Sequence, residues 1–163
     1  MSSTSGPAGL EEVIAAIDQQ IGWSRPLGSQ FTADMLELVR ANILGGGAIA
    51  PLVVPWHGPP VDDVVALRLT GVLQMMARTG RAPALAKFYP KVGKPWDPKA
   101  VSAEIERAVV ANSDFVRSIL SRPPQTNEIG RSAVLMPAYA RIAKATGLPL
   151  RILEVGASAG LNL

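Results

Sequence analysis

Apolar side chains in the first half of the chain return every three or four residues, the spacing that gathers them on one face of an α-helix. Leu10, Val13, Ile14 and Ile17 set the first such face in a helix predicted from Leu10 to Ile21. Glu11 and Glu12 occupy its first turn, where the helix dipole favours acids. Gly22, Pro26 and Gly28 then interrupt the pattern. It resumes from Phe31 to Leu44 with Phe31, Met35, Leu38, Val39 and Ile43 on one side, and Gly45-Gly46-Gly47 ends it. Ala48 to Pro60 reads as a Pro-rich connection holding Trp56 and the single histidine, His57. The next helix is predicted from Asp62 to Arg78. Val64, Val65, Leu67, Leu69, Val72, Leu73 and Met76 make it apolar over a broad arc, which puts it near the centre of a core.

Gly80 closes that helix, and Pro83 starts a short one through Phe88. Tyr89 to Pro98 carries three prolines, a glycine and two lysines and reads as an exposed loop. Asp97 is placed to cap a helix with Pro98 at its first position, running to about Leu120. Pro123-Pro124 stops it. Asn127 is placed to cap a further helix, Glu128 to Thr146, in which Pro137 calls for a kink or a late start. Gly147 ends it, and Leu150-Arg151-Ile152-Leu153-Glu154-Val155 has the composition of a strand. The expected organisation is a loose tail over residues 1–9, a helical domain over 10–147, and the start of a second, Rossmann-like domain over 148–163. The fold class expected is mainly α, ending in the first strand and glycine loop of an α/β sheet.

Composition narrows the chemistry. The chain has 163 residues, 48% of them hydrophobic, enough for a globular core. Its formal net charge is +3, with the basic residues scattered and few aromatics among them, so no nucleic-acid partner is expected. With no cysteine, disulfides, thiol nucleophiles and thiolate metal sites are excluded within these residues. No metal site is expected either, because the lone histidine has no acidic cluster beside it. The start, Met1-Ser2-Ser3-Thr4-Ser5-Gly6-Pro7, lacks a basic and apolar export signal, and the apolar stretch Ile43 to Trp56 is too short and too broken to span a bilayer. A cytoplasmic location and no membrane partner are expected.

The chemistry concentrates after the strand, in Glu154-Val155-Gly156-Ala157-Ser158-Ala159-Gly160. An apolar strand, an acid at its end and a turn of small residues are the parts of a nucleotide-binding first loop. Small residues let backbone N–H groups approach the ligand, and the following helix adds a positive end. The run resembles motif I of the S-adenosylmethionine-dependent methyltransferases, with Glu154, Gly156 and Gly160 matching and Ser158 in place of the middle glycine. The same residues also spell Gly156-x-Ser158-x-Gly160, the nucleophile elbow of α/β-hydrolases. That elbow needs an acid and a histidine later in the chain, whereas His57 precedes it.

A wider resemblance covers most of the chain from about Gln20. Leu67-Arg68-Leu69, the run from Gly80-Arg81-Ala82-Pro83 to Tyr89-Pro90, Pro123-Pro124-Gln125-Thr126-Asn127-Glu128-Ile129-Gly130-Arg131, and Gly147 through Leu163 are similar to the bacterial domain-of-unknown-function family 2332. The resemblance implies a helical N-terminal region joined to a methyltransferase-like sheet, of which this chain carries the front portion. It implies S-adenosylmethionine as cofactor, cradled by Glu154, Gly156, Ala157, Ser158, Gly160 and Asn162. It makes Asn127, Glu128 and Arg131 substrate-side contacts, which otherwise read as a cap and first helical turn. No residue stands out as a general base or nucleophile for methyl transfer, so the catalytic residues are unknown. The expected function is the N-terminal part of such an enzyme, incomplete for catalysis by itself. The alternatives are a non-catalytic helical interaction or regulatory module and a hydrolase fragment with Ser158 as nucleophile. An apolar strand without partners pairs with other chains, so residues 150–155 are a candidate self-association edge. Asp62-Asp63 reads as a helix start, Met75-Met76 as core filling, and Lys87, Lys91, Lys94 and Lys99 as a solvated face.

Overall fold

The computed structural model describes residues 7–89, 97–124 and 129–155, and they are mainly helical. They form helices α1 (Leu10–Ser24), α2 (Gln30–Leu44), α3 (Ala50–Val53), α4 (Val65–Arg78), α5 (Pro83–Ala86), α6 (Pro98–Ala111), α7 (Ser113–Leu120) and α8 (Ser132–Thr146), the last entered through a 3₁₀ turn, Ile129–Arg131. The chain divides into two compact units, residues 1–124 and 125–163. The division lies upstream of residue 147, so α8 falls in the second unit.

The first unit owes its core to the faces read from the periodicity. α1 buries Val13, Ile14, Ala16, Ile17, Ile21 and Ser24, and α2 buries Ala33, Met35, Leu36, Val39 and Ile43. α4 buries Val65, Ala66, Leu69, Val72, Leu73, Met76 and Ala77 and packs against α1, α2, α5 and α7, the central place its broad arc predicts. Met75 does not share it: it is 40% exposed, because the residue beside Met76 on a helix points about 100° away.

Helix ends follow local chemistry. Glu12 reaches back to accept from the Gly9 N–H at 2.7 Å, and Asp97 caps α6 by accepting from the Lys99 N–H at 3.0 Å. Gly147 ends α8 in the left-handed region, at φ 66°.

Several expectations are corrected. The tail is not loose over residues 7–9: Ala8 is buried and pairs with Trp56 in an antiparallel bridge, through N–H···O distances of 2.7 and 3.1 Å. The connection Ala48 to Pro60 contains α3, whose Val53 is buried. The helix expected from Asp62 begins at Val65. The segment before it is a turn, and Val64 sits at φ 50°, a left-handed conformation that a β-branched residue adopts only under constraint. The helix expected from Pro98 to Leu120 breaks at Asn112 (φ −130°), whose side-chain amide donates to the Ala108 carbonyl at 2.9 Å, a local bond of the kind that competes with helix continuation. α8 begins at Ser132, after the 3₁₀ turn, and runs through Pro137 instead of starting there.

The largest correction concerns Leu150 to Val155. No strand forms there, nor anywhere else among the described residues. A strand exists only where a neighbour takes up its N–H and C=O groups, and no described segment pairs with this one. Leu153 and Val155 are fully open to solvent, at 81% and 101% exposure.

Candidate functional site

Two of the residues expected to form the site are described. Glu154 lies half-buried in the segment beyond the Gly147 cap, and Arg131 is exposed at the end of the 3₁₀ turn that leads into α8. Both belong to the second unit. Asn127, Glu128, Gly156, Ala157, Ser158, Gly160 and Asn162 lie outside the described residues. Arg131 closes the 3₁₀ turn and stands at the N-cap of α8, ahead of the helix and not in its first turn.

The first unit holds polar geometry that sequence reasoning missed. Arg68, on the α4 face, keeps only 10% of its side chain exposed. Its Nε donates to the Asp63 carbonyl at 2.6 Å, and its Nη1 donates to the Leu120 carbonyl at 2.8 Å. Its guanidinium lies 5.5 Å from the Trp56 ring centre, and its Nη2 lies 3.7 Å from Asp63 Oδ1. Asp63 also accepts from the Trp56 indole N–H at 2.7 Å. A planar, permanently charged fork with several donors suits such a junction. Asp63 lies in the turn ahead of α4 and is not its start; together with Arg68 it fastens the connection after α3 to the end of α7. The signal was present as an arginine between Leu67 and Leu69, inside the most apolar arc of the chain.

A second polar cluster ties the glycine turn after α2 to α6. Glu106 accepts from Asn42 Nδ2 at 2.6 Å and from the Ala48 N–H at 2.9 Å, while Asn42 Oδ1 accepts from the Ile49 N–H at 3.1 Å. Gly47 is fitted to this arrangement, since a Cβ there would stand 2.4–2.6 Å from the Asn42 amide atoms. An open groove lined by Leu38, Asn42, Lys99, Ser102, Ala103 and Glu106 runs beside it.

His57 is exposed on its loop. Among the described residues no group of three or more His, Asp or Glu side chains could hold a metal, and no helix is long and apolar enough to cross a membrane. Neither polar cluster has the layout of a nucleophile with its base: each carboxylate is engaged by N–H donors that hold backbone segments in place.

Fold and site together define a helical protein with a packed first unit and a short second unit carrying an acid ahead of a glycine-rich run. The chain belongs to the family described as uncharacterized protein conserved in bacteria, DUF2332, whose model matches residues 15–163. No curated protein and no solved structure matches it.

Proposed function

We propose that the chain is part of an S-adenosylmethionine-binding, methyltransferase-like protein acting in the cytoplasm, with the cofactor held by Glu154 and the run Gly156 to Gly160. The observation that carries this reading is the half-buried Glu154 carboxylate two residues ahead of Gly156-Ala157-Ser158-Ala159-Gly160. The donor set suits the ligand. A carboxylate complements the ammonium and sulfonium of S-adenosylmethionine, and backbone N–H groups in a small-residue loop complement its carboxylate. When bound, the cofactor supplies an electrophilic methyl group. Glu154 orients the cationic end, the glycines keep the backbone accessible, and Arg131, with Asn127 and Glu128, serves the acceptor side.

Calorimetric titration of the native-length protein with S-adenosylmethionine tests this. Saturable binding that falls about tenfold or more in Glu154→Gln and in Gly156→Val is the expected result, since each removes a charge-assisted contact or fills the approach path. Absence of binding sinks the reading. Covalent labelling of Ser158 by a fluorophosphonate would instead point to the hydrolase.

A second reading, a helical interaction module without catalysis, is favoured by α8. It buries no residue, and Val134, Met136 and Ile142 are 75%, 54% and 49% exposed. The same reading covers self-association through residues 150–155. Sedimentation of the protein against Leu153→Asp/Val155→Asp decides it: association lost in the double variant supports the module, and equal monomers in both remove it.

A further inference from the structure

Phe31, Thr32 and Met35 of α2, Thr70 and Gln74 of α4, and Tyr89 beyond α5 line a half-enclosed cavity of about 150 Å³. Nothing in the proposed cofactor site uses it, and all six residues belong to the first unit. One part of its lining is apolar: Met35 is 2% exposed, and Phe31 meets Tyr89 edge to face with ring centres 5.3 Å apart. The other part is polar. The Thr70 hydroxyl donates to the Leu67 carbonyl at 3.1 Å and keeps lone pairs to accept with. The Thr32 hydroxyl, the Gln74 amide and the Tyr89 hydroxyl make no hydrogen bond among the described residues. Among the described residues no charged side chain lines the cavity.

An apolar recess with a few convergent hydrogen-bonding groups is the ordinary make-up of a small-molecule site. Its size selects the ligand: a cavity of roughly 150 Å³ accommodates one six-membered ring. Its walls select shape, because edge-to-face aromatic pairs extend most readily to another flat ring. The uncharged described lining selects a neutral compound, since it offers a buried ion no counter-ion. We propose that this cavity binds a neutral, planar, single-ring compound with a hydrogen-bonding edge, of the aromatic amide class. Burial pushes the Tyr89 phenol up from its ordinary value, so the hydroxyl remains a donor throughout the physiological range.

The test is a titration of the full chain with benzamide, followed by the backbone amide resonances of Thr32, Thr70, Gln74 and Tyr89. Saturable shifts at these residues are expected. Cyclohexanecarboxamide, which keeps the amide and loses planarity, and benzoate, which keeps the ring and adds charge, should each bind at least about fivefold more weakly. Tyr89→Phe should weaken benzamide by about fivefold, the ordinary effect of one hydrogen bond. Met35→Trp fills the cavity and should abolish the shifts; if that variant loses its far-ultraviolet helix signal, Thr70→Leu takes its place. No saturable shift, equal binding of cyclohexanecarboxamide, or shifts that survive the folded cavity-filling variant would each overturn the proposal.

Discussion

α1 and α8 are both 15 residues long, both carry alanine and branched apolar side chains, and they are opposite in what they do with them. α1 buries six residues against a core shared with α2 and α4; α8 buries none. The difference is one of neighbours. Most helical stability in proteins comes from packing an apolar face, because short helices are marginal in water. Residues 10–120 supply several such faces to one another. In the second unit, only the 3₁₀ turn and the segment 147–155 accompany α8 among the described residues.

The comparison is broken most sharply by cutting into the first unit. Leu73 is 1% exposed at the centre of α4, and Leu73→Ala removes buried atoms and leaves a hole. The expected loss is about 2–5 kcal/mol, read as a lower urea midpoint of the far-ultraviolet helix signal. The same truncation at Leu148, 65% exposed, should leave the midpoint where it is within about 0.5 kcal/mol. Equal effects at the two positions would mean that the two units do not differ as described.

A smaller loss is expected from the polar tie between α2 and α6. Glu106→Ala leaves the Asn42 amide and the Ala48 N–H without their shared acceptor, at a cost of about 1–3 kcal/mol. Glu106→Gln keeps one acceptor oxygen and should recover part of it. Gly47→Ala should mimic Glu106→Ala, because its methyl group displaces the Asn42 side chain from the same network. Thermal melts of the three variants check the ranking; a neutral Gly47→Ala would show that Asn42 moves without cost.

What the sequence made legible follows the same divide. The faces of α1, α2 and α4 could be read because period and burial coincide there: Val13, Ile17, Met35, Val39, Leu69 and Val72 recur at helical spacing and are all buried. Boundaries were less legible. Asn112 ends α6 through its own side chain, and Val64 opens α4 through a left-handed turn that no propensity scale assigns to valine. The Arg68 junction could not be assembled from the sequence, because its partners Trp56, Asp63 and Leu120 come from separate turns and only tertiary folding gathers them. In the second unit the periodic helix was read and its burial was not. Apolar composition at Leu150 to Val155 suggested a strand, but strand formation is a property of a pair. Of the expected site, Glu154 and Arg131 are the residues described, and nothing in the sequence pattern says what faces them.

Alkaline titration gives a further, smaller contrast. Burial raises the Tyr89 phenol above its ordinary value of about 10. An acid with a raised folded value holds its proton more tightly in the native state than in the unfolded one. Its contribution is therefore fully present below pH about 10 and is lost as pH rises beyond it, with a slope of up to about 1.4 kcal/mol per pH unit. Tyr89→Phe has no proton to lose and should flatten the fall in stability above pH 10. Urea midpoints of both chains between pH 8 and 11 measure it. Parallel curves would mean that the phenol is hydrated in the folded protein.

The smallest effect is expected on α8, where it sharpens the comparison most. Val134, Met136 and Ile142 keep 75%, 54% and 49% of their surfaces exposed, so truncating them returns little apolar area to water. Helix propensity moves the other way: alanine is better than valine, methionine or isoleucine by at most a few tenths of a kcal/mol each. The triple variant Val134→Ala/Met136→Ala/Ile142→Ala should therefore keep the urea midpoint within about 0.5 kcal/mol and gain slightly in helix signal. The same three-residue change in α1, at Val13, Ile17 and Ile21, should unfold the first unit, since each site lies in its core. If the α8 variant instead loses more than about 1 kcal/mol, its apolar face is covered in solution. The concentration dependence of that loss then separates a second copy of the chain, which makes the midpoint rise with concentration, from a covering within the chain, which does not.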